Sequence, residues 1–351
     1  MAAAIEAGDD RLAAVVATKA IYTVGYKLSD VAGAEGWDRQ AQGWLARLGR
    51  PDELEARRLD ARGVVYLEAG RHQQAMADLH EVRTRQDRAL DEDDPSRATT
   101  LSHIGDALIG LGRYDEAVEH QRRALAIYEA AYGPDHPTLL PPLNNLGVSL
   151  QGLGRTDEAL AIFERTLALA TAAFGPESRN VALALRNLSE VDRERGRLEA
   201  AIDQARRAVA IYQRAGKMDH GTSTALGALA TALATAGQFD EATEYFRQTH
   251  AAQVELFGAD TLNAVFSENN LGTVLAEQGR HEEGFVHLRR ALAGKERLLG
   301  PEHPALVSTL SSMGESLLQS GEPRKALPYF ERAEQLQRSA AGPEHPGVAN
   351  A

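Results

Sequence analysis

The chain has 351 residues and no cysteine, and its 38 Lys and Arg against 50 Asp and Glu give a formal net charge of −12. With 43% apolar and 25% charged residues it can bury a core, so wholesale disorder is excluded, and the missing cysteines exclude disulfide frameworks and thiolate metal sites. The acidic balance argues against a large nucleic-acid footprint, which needs clustered Lys and Arg to neutralise phosphates.

The first ten residues carry neither a basic region nor an apolar run, so no secretory signal is read there and a cytoplasmic protein is expected. From there on the chain repeats. Gly70, Gly112, Gly154, Gly196, Gly237, Gly279 and Gly321 are spaced 42, 42, 42, 41, 42 and 42 residues apart. The units run 8–49, 50–91, 92–133, 134–175, 176–217, 218–258, 259–300 and 301–342, and 343–351 opens an incomplete ninth. The whole chain is therefore read as one array. The first unit is degenerate; its Trp37 and Trp44, seven apart and near Tyr22 and Tyr26, share a helix face that is either an enlarged terminal core or a docking patch.

The second unit ends in Asp91-Glu-Asp-Asp94, a solvated loop or a contact for a basic partner. In the third, Leu101, Ile104, Leu108 and Leu111 recur at helical spacing, as do Ala117, Ala124 and Ile127 after Gly112, so each unit should be two antiparallel helices. The recurring Gly suits the left-handed residue that ends a helix, and pairs such as Asp115-Glu116 and Asp157-Glu158 suit the positive end of the next. Linkers such as Gly133-Pro-Asp-His-Pro137 and Gly300-Pro-Glu-His-Pro304 stop one unit and start the next, which gives His136, His303 and His345 a structural role.

Gly63, Gly105, Gly147, Gly272 and Gly314 lie inside first helices, where Gly costs about 0.5–1 kcal/mol relative to Ala, so a close helix crossing is expected there. Large residues that follow, Leu79, Phe163, Phe246, Leu288 and Phe330, would fill beside it. The fifth unit departs: Ser189 replaces the Gly, Asp192 replaces a Leu, and the linker Gly216-Lys-Met-Asp-His220 lacks proline, through drift or as a local binding or bending site. Gly221 to Phe239 has no charge but is too small and polar for a membrane span. His281 and His287 are six apart and share no helix face, so no metal is expected. No catalytic grouping and no cofactor motif is found, and the chain is not expected to be an enzyme. Pro343-Glu-His-Pro346 leaves Leu327, Phe330 and Leu336 without a successor helix, which predicts self-association through this end or a longer parent chain.

This pattern of interior Gly, then Ala and Phe, resembles the tetratricopeptide repeat over essentially the whole chain. Asn144-Asn145-Leu-Gly147, Asn269-Asn270-Leu-Gly272, Gly112-Arg-Tyr-Asp-Glu-Ala117 and the Gly-Pro-Asp/Glu-His-Pro linkers resemble the kinesin-light-chain type, and Tyr22-Thr-Val-Gly-Tyr26 is similar to repeats that follow bacterial serine/threonine kinase domains. The resemblance implies an all-α, right-handed superhelical solenoid of antiparallel helix pairs, its first helices lining a concave groove. Groove positions fall three and two residues before, and one, four and five after, the first-helix Gly. They give Ser102, His103 and Asp106 in the third unit, Asn144, Asn145, Val148 and Gln151 in the fourth, and Arg186, Asn187, Glu190, Arg193 and Glu194 in the fifth. The sixth supplies Gly227, Ala228, Thr231, Ala234 and Thr235, and the seventh Asn269, Asn270, Thr273 and Glu277.

Asn145, Asn187 and Asn270 share one position and would hold ligand backbone, or else bond neighbouring helices. Above Ala228 and Thr231 there is room for a bulky apolar side chain, with Arg186 or Arg193 to meet an acidic one. The third and fourth units offer no Lys or Arg at groove positions, which disfavours a clamp for a terminal carboxylate. The expected function is a protein-interaction scaffold that binds an extended peptide or partner helix. The alternative is a ligand- or peptide-sensing regulatory module of a bacterial, kinase-associated signalling system.

Overall fold

The described residues fold as eight successive pairs of helices. The structure, a computed structural model, describes residues 8–341 apart from Ser29 and Lys217. In chain order the helices are α1 (Asp10–Tyr22), extended by a π-helical turn at Thr23–Lys27, α2 (Val31–Arg47), α3 (Asp52–Glu68), α4 (His72–Ala89), α5 (Pro95–Gly110) and α6 (Tyr114–Tyr132). A 3-10 turn, Pro137–Leu139, leads into α7 (Leu140–Gly152), followed by α8 (Thr156–Phe174), α9 (Arg179–Glu194), α10 (Leu198–Arg214), α11 (His220–Thr235) and α12 (Phe239–Phe257). The last are α13 (Leu262–Glu277), α14 (His281–Leu299), α15 (Leu306–Gln319) and α16 (Pro323–Ala341). Odd-numbered helices are first helices. There is no strand among the described residues.

Local chemistry explains each boundary. The seven periodic glycines have φ between +69° and +85°, a conformation that costs Gly little, and the next backbone N–H bonds back to the helix, as from Arg113 to Leu108 O at 2.9 Å. In three units the Arg that follows the Gly binds the acid three residues on, as Arg113, Arg155 and Arg280 do; both Nε and Nη2 of Arg113 lie 2.7 Å from the Glu116 carboxylate. His136 and His303 accept from the backbone N–H of Thr138 (3.3 Å) and Ala305 (3.1 Å), as the structural role requires. In the second unit's linker Asp94 accepts from Ser96 N at 2.7 Å and caps α5.

Contacts divide the chain into two compact units, Met1–Pro176 and Glu177–Ala351, with the boundary in the linker after the fourth helix pair. In the N-terminal unit, Tyr66, Leu79, Ile104, Leu108 and Ala117 form one core cluster. The crossing inferred at Gly147 is real: a Cβ there would stand 2.5 Å from the ring of Phe163, which is fully buried. Trp37 and Trp44 pack half-buried against Ala17, Ile21, Ala41, Leu45 and Leu54, so they enlarge the terminal core. Between the first two pairs lies a charged network that periodicity did not announce. Arg58 bonds Asp38 (2.5 Å) and Glu55 (2.8 Å), Arg62 bonds Asp38 (2.7 Å) and Asp78 (2.6 Å), and Asp38, Glu55 and Arg58 are each at most 5% exposed. Removing one member would strand a buried charge, at about 3–5 kcal/mol.

The C-terminal unit explains the fifth repeat's departures. Ser189 Oγ donates to the Ala201 carbonyl (2.7 Å), so the hydroxyl replaces the Gly at the crossing and satisfies a backbone acceptor. Asp192 is buried and held by Arg197 and by Gln204 Nε2 (2.9 Å). In the linker without proline, Asp219 caps α11 by accepting from Thr222 N at 3.0 Å. At the far end Leu336 is buried and Phe330 half-buried beneath Gly314, so of the three residues expected to lack cover only Leu327 is exposed. Pro343–Pro346 and His345 lie outside the described residues.

Candidate functional site

A cleft of about 770 Å³ opens in the N-terminal unit, and its wall follows the repeat register. Thr18, Lys19, Tyr22 and Tyr26 come from α1 and its π-helical turn, Asp60, Ala61, Val64 and Glu68 from α3, Ser102, His103 and Asp106 from α5, and Asn145 from α7. Around Ile21, Gly63, Gly105 and Gly147 these are the positions three or two before, and one or five after. Equivalent side chains of successive first helices thus face one space, because those helices touch one another along the array.

Two local devices shape the cleft. Gly25 sits where the π-helical turn presses on α3 and α2: any Cβ there would collide with Val65 and come within 2.9 Å of the Ala34 Cβ. That approach places the rings of Tyr22 and Tyr26 in a stack with centroids 4.9 Å apart, each ring more than a third exposed. Deeper in, His103 Nδ1 lies 2.9 Å from Asp60 Oδ1, and Thr99 Oγ1 lies 2.7 Å from the Tyr128 hydroxyl.

The electrostatics are those of an enclosed acidic wall. Burial raises the Asp106 pKa, and the nearby His103 and His72 only partly offset it. Glu68 is exposed at the rim, yet the walls remove enough water, and Asp106 adds enough repulsion, to hold its pKa above the ordinary carboxylate value. Burial disfavours the His103 cation, but the hydrogen bond and charge of Asp60 outweigh it and the pKa is raised. Tyr26 is raised as well, by burial first and then by Glu68 and Tyr22.

The twelve residues expected to bind peptide fall in two compact units. Asn144 and Asn145 are half-buried on α7 with Asn144 Nδ2 3.3 Å from Asn145 Oδ1, and of the pair Asn145 lines the cleft; Gln151 is half-buried on the same helix. In the C-terminal unit Asn187 is 2% exposed and its Oδ1 accepts from Arg186 Nη2 (2.8 Å). Asn187 is therefore no open groove residue, which corrects the sequence expectation. Asn269 needs the same correction: it is 8% exposed, and its Oδ1 takes a hydrogen bond from Thr309 (2.6 Å) and faces Lys295 Nζ (3.4 Å). Asn270 is exposed, so the three equivalent asparagines do not share an environment. Glu190 and Arg193 are half-buried, and burial raises the Glu190 pKa against the pull of Arg186 and Arg193. Ala228 is half-buried, Thr231 donates to its own helix at Gly227 O (2.9 Å), and Thr273 donates to Asn269 O (3.1 Å) and lies 3.3 Å from Ser312 Oγ.

Thr18, Lys19, Asp60, Ala61, Val64 and Glu68 escaped notice. The register rule reaches them once it is centred on Ile21 and Gly63 rather than begun at the third unit.

The tetratricopeptide repeat profile matches residues 55–130, 96–170, 138–214, 221–282 and 262–339. No curated protein compared with the chain matches it. Among solved structures, the apo quorum sensor NprR from B. thuringiensis superposes with a TM-score of 0.68 at 13% identity, over 91% of this chain and 86% of that one. A Rap protein complexed with competence and sporulation factor gives 0.62 at 14% over 93% and 98%. TPR-like repeats assigned to a kinesin light chain of Podosopora anserina give 0.51 at 20% over 58% and 98%. At these identities the likeness is one of fold.

Proposed function

Because the chain belongs to the tetratricopeptide-repeat family, we propose that it is a non-catalytic interaction module holding an extended peptide, or an extended segment of a partner protein, in the cleft of its N-terminal unit. The observation that carries this reading is the register: equivalent positions of four successive first helices line one space. An extended chain rises about 3.3 Å per residue and packed helices lie about 8–10 Å apart, so roughly every third ligand residue would meet a new first helix. Asn145 offers a donor and an acceptor to the ligand backbone there. The second reading is a sensing module. It is favoured by the neighbours, one a quorum sensor and one complexed with competence and sporulation factor. A sensor would show one saturable site whose occupation slows hydrogen exchange throughout the N-terminal unit, whereas an adaptor would not tighten.

The test is a filled cleft. Val64 is half-buried and lines the wall, so Val64→Trp should occupy the space without entering the core. Peptides enriched from a random twelve-residue display library on the unaltered chain should lose binding to this variant while its circular dichroism stays helical. Binding unchanged by Val64→Trp would overturn the reading. Self-association through α16, where Leu327 is exposed, is a separate proposal; sedimentation as a monomer at high concentration would refute it. Among the described residues no helix is long and apolar enough to cross a membrane.

A further inference from the structure

The cleft has more acceptors than its own side chains can satisfy. Of its three carboxylates, Asp60 is bonded to His103, whereas Glu68 and Asp106 have no ion-pair or hydrogen-bond partner among the described residues. Glu68 lies within electrostatic reach of Asp106 and of Tyr26, and Asp106 within reach of the His103 and His72 imidazoles. Lys19 stands exposed in the cleft wall and pairs with neither. Elsewhere on the chain exposed acids commonly hold an arginine, as Glu116 holds Arg113 and Glu158 holds Arg155.

A second cavity, about 340 Å³, shares Asp60 and Thr99 with the cleft and is lined by Asp52, Arg85 and Gln86. Gln86 is nine-tenths buried, and although its Nε2 donates to Ser96 O (3.2 Å), its Oε1 is enclosed with no donor. Arg85 in the same cavity pairs through its terminal nitrogens with Asp52 (2.5 Å) and Glu81 (2.8 Å), while its Nε is enclosed without an acceptor. A buried acceptor left without a donor costs stability until something supplies an N–H. On the cleft side of Asp60, then, two carboxylates stand without a bonded cation, while the second cavity keeps an enclosed acceptor on Gln86 and an enclosed donor on Arg85.

We propose that the occupant of the cleft is a basic peptide, whose Lys or Arg side chain sits between Glu68 and Asp106 with its stem along the Tyr22–Tyr26 stack. The inference rests on the peptide-binding reading and names its ligand chemistry. A guanidinium offers five N–H donors to two carboxylates and lies favourably over a tyrosine ring. An ammonium meets the charges but not the planar geometry, so arginine should be preferred over lysine. A neutral or acidic peptide would cover Glu68 and Asp106 without giving either a counter-charge. Burial raises the pKa of both carboxylates, and at Glu68 the charge of Asp106 adds to it.

The experiment uses the full chain and the library-selected peptides. Sequences that bind the unaltered chain and fail on Val64→Trp should carry Arg or Lys at a fixed position, and the double variant Glu68→Gln with Asp106→Asn should weaken them by about tenfold or more. Replacing that Arg by citrulline in the selected peptide should cost as much, and should cost little further on the double variant, since both changes remove the same interaction. If cleft-dependent peptides lack a basic residue, or bind the double variant as tightly, the basic ligand is refuted while the cleft reading stands. If the selected peptides ignore Val64→Trp, or the library yields no binder, both fall together.

Discussion

The same groove positions have opposite fates in the two compact units. In the N-terminal one they stay open: Asp60, Glu68, His103, Asp106 and Asn145 line a cleft of about 770 Å³. In the C-terminal one several turn inward, with Asn187 taken by Arg186, Asn269 by Thr309 and Lys295, and Thr231 and Thr273 bonded to their own helices. The difference lies in the neighbours rather than in the register. A polar side chain binds whatever partner is within reach, and a helix pair that supplies one converts a ligand contact into a packing contact.

Four substitutions would break or sharpen this contrast. The largest effect is expected at Gly147→Leu, which forces a side chain into the ring of Phe163 and should cost several kcal/mol, at or above the ~1–3 kcal/mol of ordinary overpacking. Cleft binding should disappear with the fold. An unchanged calorimetric melting curve would show that the tight crossing beneath the cleft does not exist.

Next is Lys295, whose Nζ is buried among neutral partners, Thr309 (2.8 Å) and Ala305 O (3.2 Å), so that burial lowers its pKa to about 8. The unfolded chain holds that proton to about pH 10.4, and a folded-state pKa below the unfolded one means that stability rises with pH between those values. Relative to Lys295→Met, the unaltered protein should therefore gain about 3 kcal/mol between pH 7.5 and 10.5 in urea unfolding. A flat difference would mean that the amine is not held in a dry site, and the inward character of the C-terminal unit would be in doubt.

A smaller change, about 1–2 kcal/mol of stability, is expected for Asn187→Ala, which leaves the Arg186 guanidinium without this acceptor. Library peptides should bind this variant normally. If it instead weakens every peptide alike, Asn187 acts on ligand backbone after all. Smallest of all should be Ala228→Trp, with no loss of affinity for cleft-dependent peptides. Loss of their binding there would move the site to the sixth repeat, where the sequence first suggested an apolar side chain.

What the sequence made legible follows from range. The period, the caps and the helix pairs were readable because their causes are local: a Gly at φ near +70°, an acid in the first turn, a Pro at a helix start. Interior glycines were readable too, since a penalty repeated five times implies a compensating contact. Asn269 was misread because Lys295, on the next helix, decides where its carbonyl oxygen points. The tyrosine stack escaped because Gly25 owes its place to Val65, forty residues later. Asp106 was placed in the groove by the register, but Glu68 looked like an ordinary surface acid, and only the enclosing walls give it a different meaning.

The interlocked small and large residues carry one more implication. Gly63 meets Leu79, Gly105 meets Gln121, Gly147 meets Phe163, Gly272 meets Leu288 and Gly314 meets Phe330, always sixteen residues apart and inside one repeat. Each pairing is matched in its own way, with an aliphatic, amide or aromatic filler. Duplication or deletion with breakpoints in the linkers would keep every such pair on one inherited segment, whereas a crossover between first and second helices would join a notch to a foreign key. The genetic unit that such an array can safely shuffle is therefore the whole helix pair, and hybrids cut between the glycine and its filler should fold less well than hybrids cut at Gly133 or Gly300.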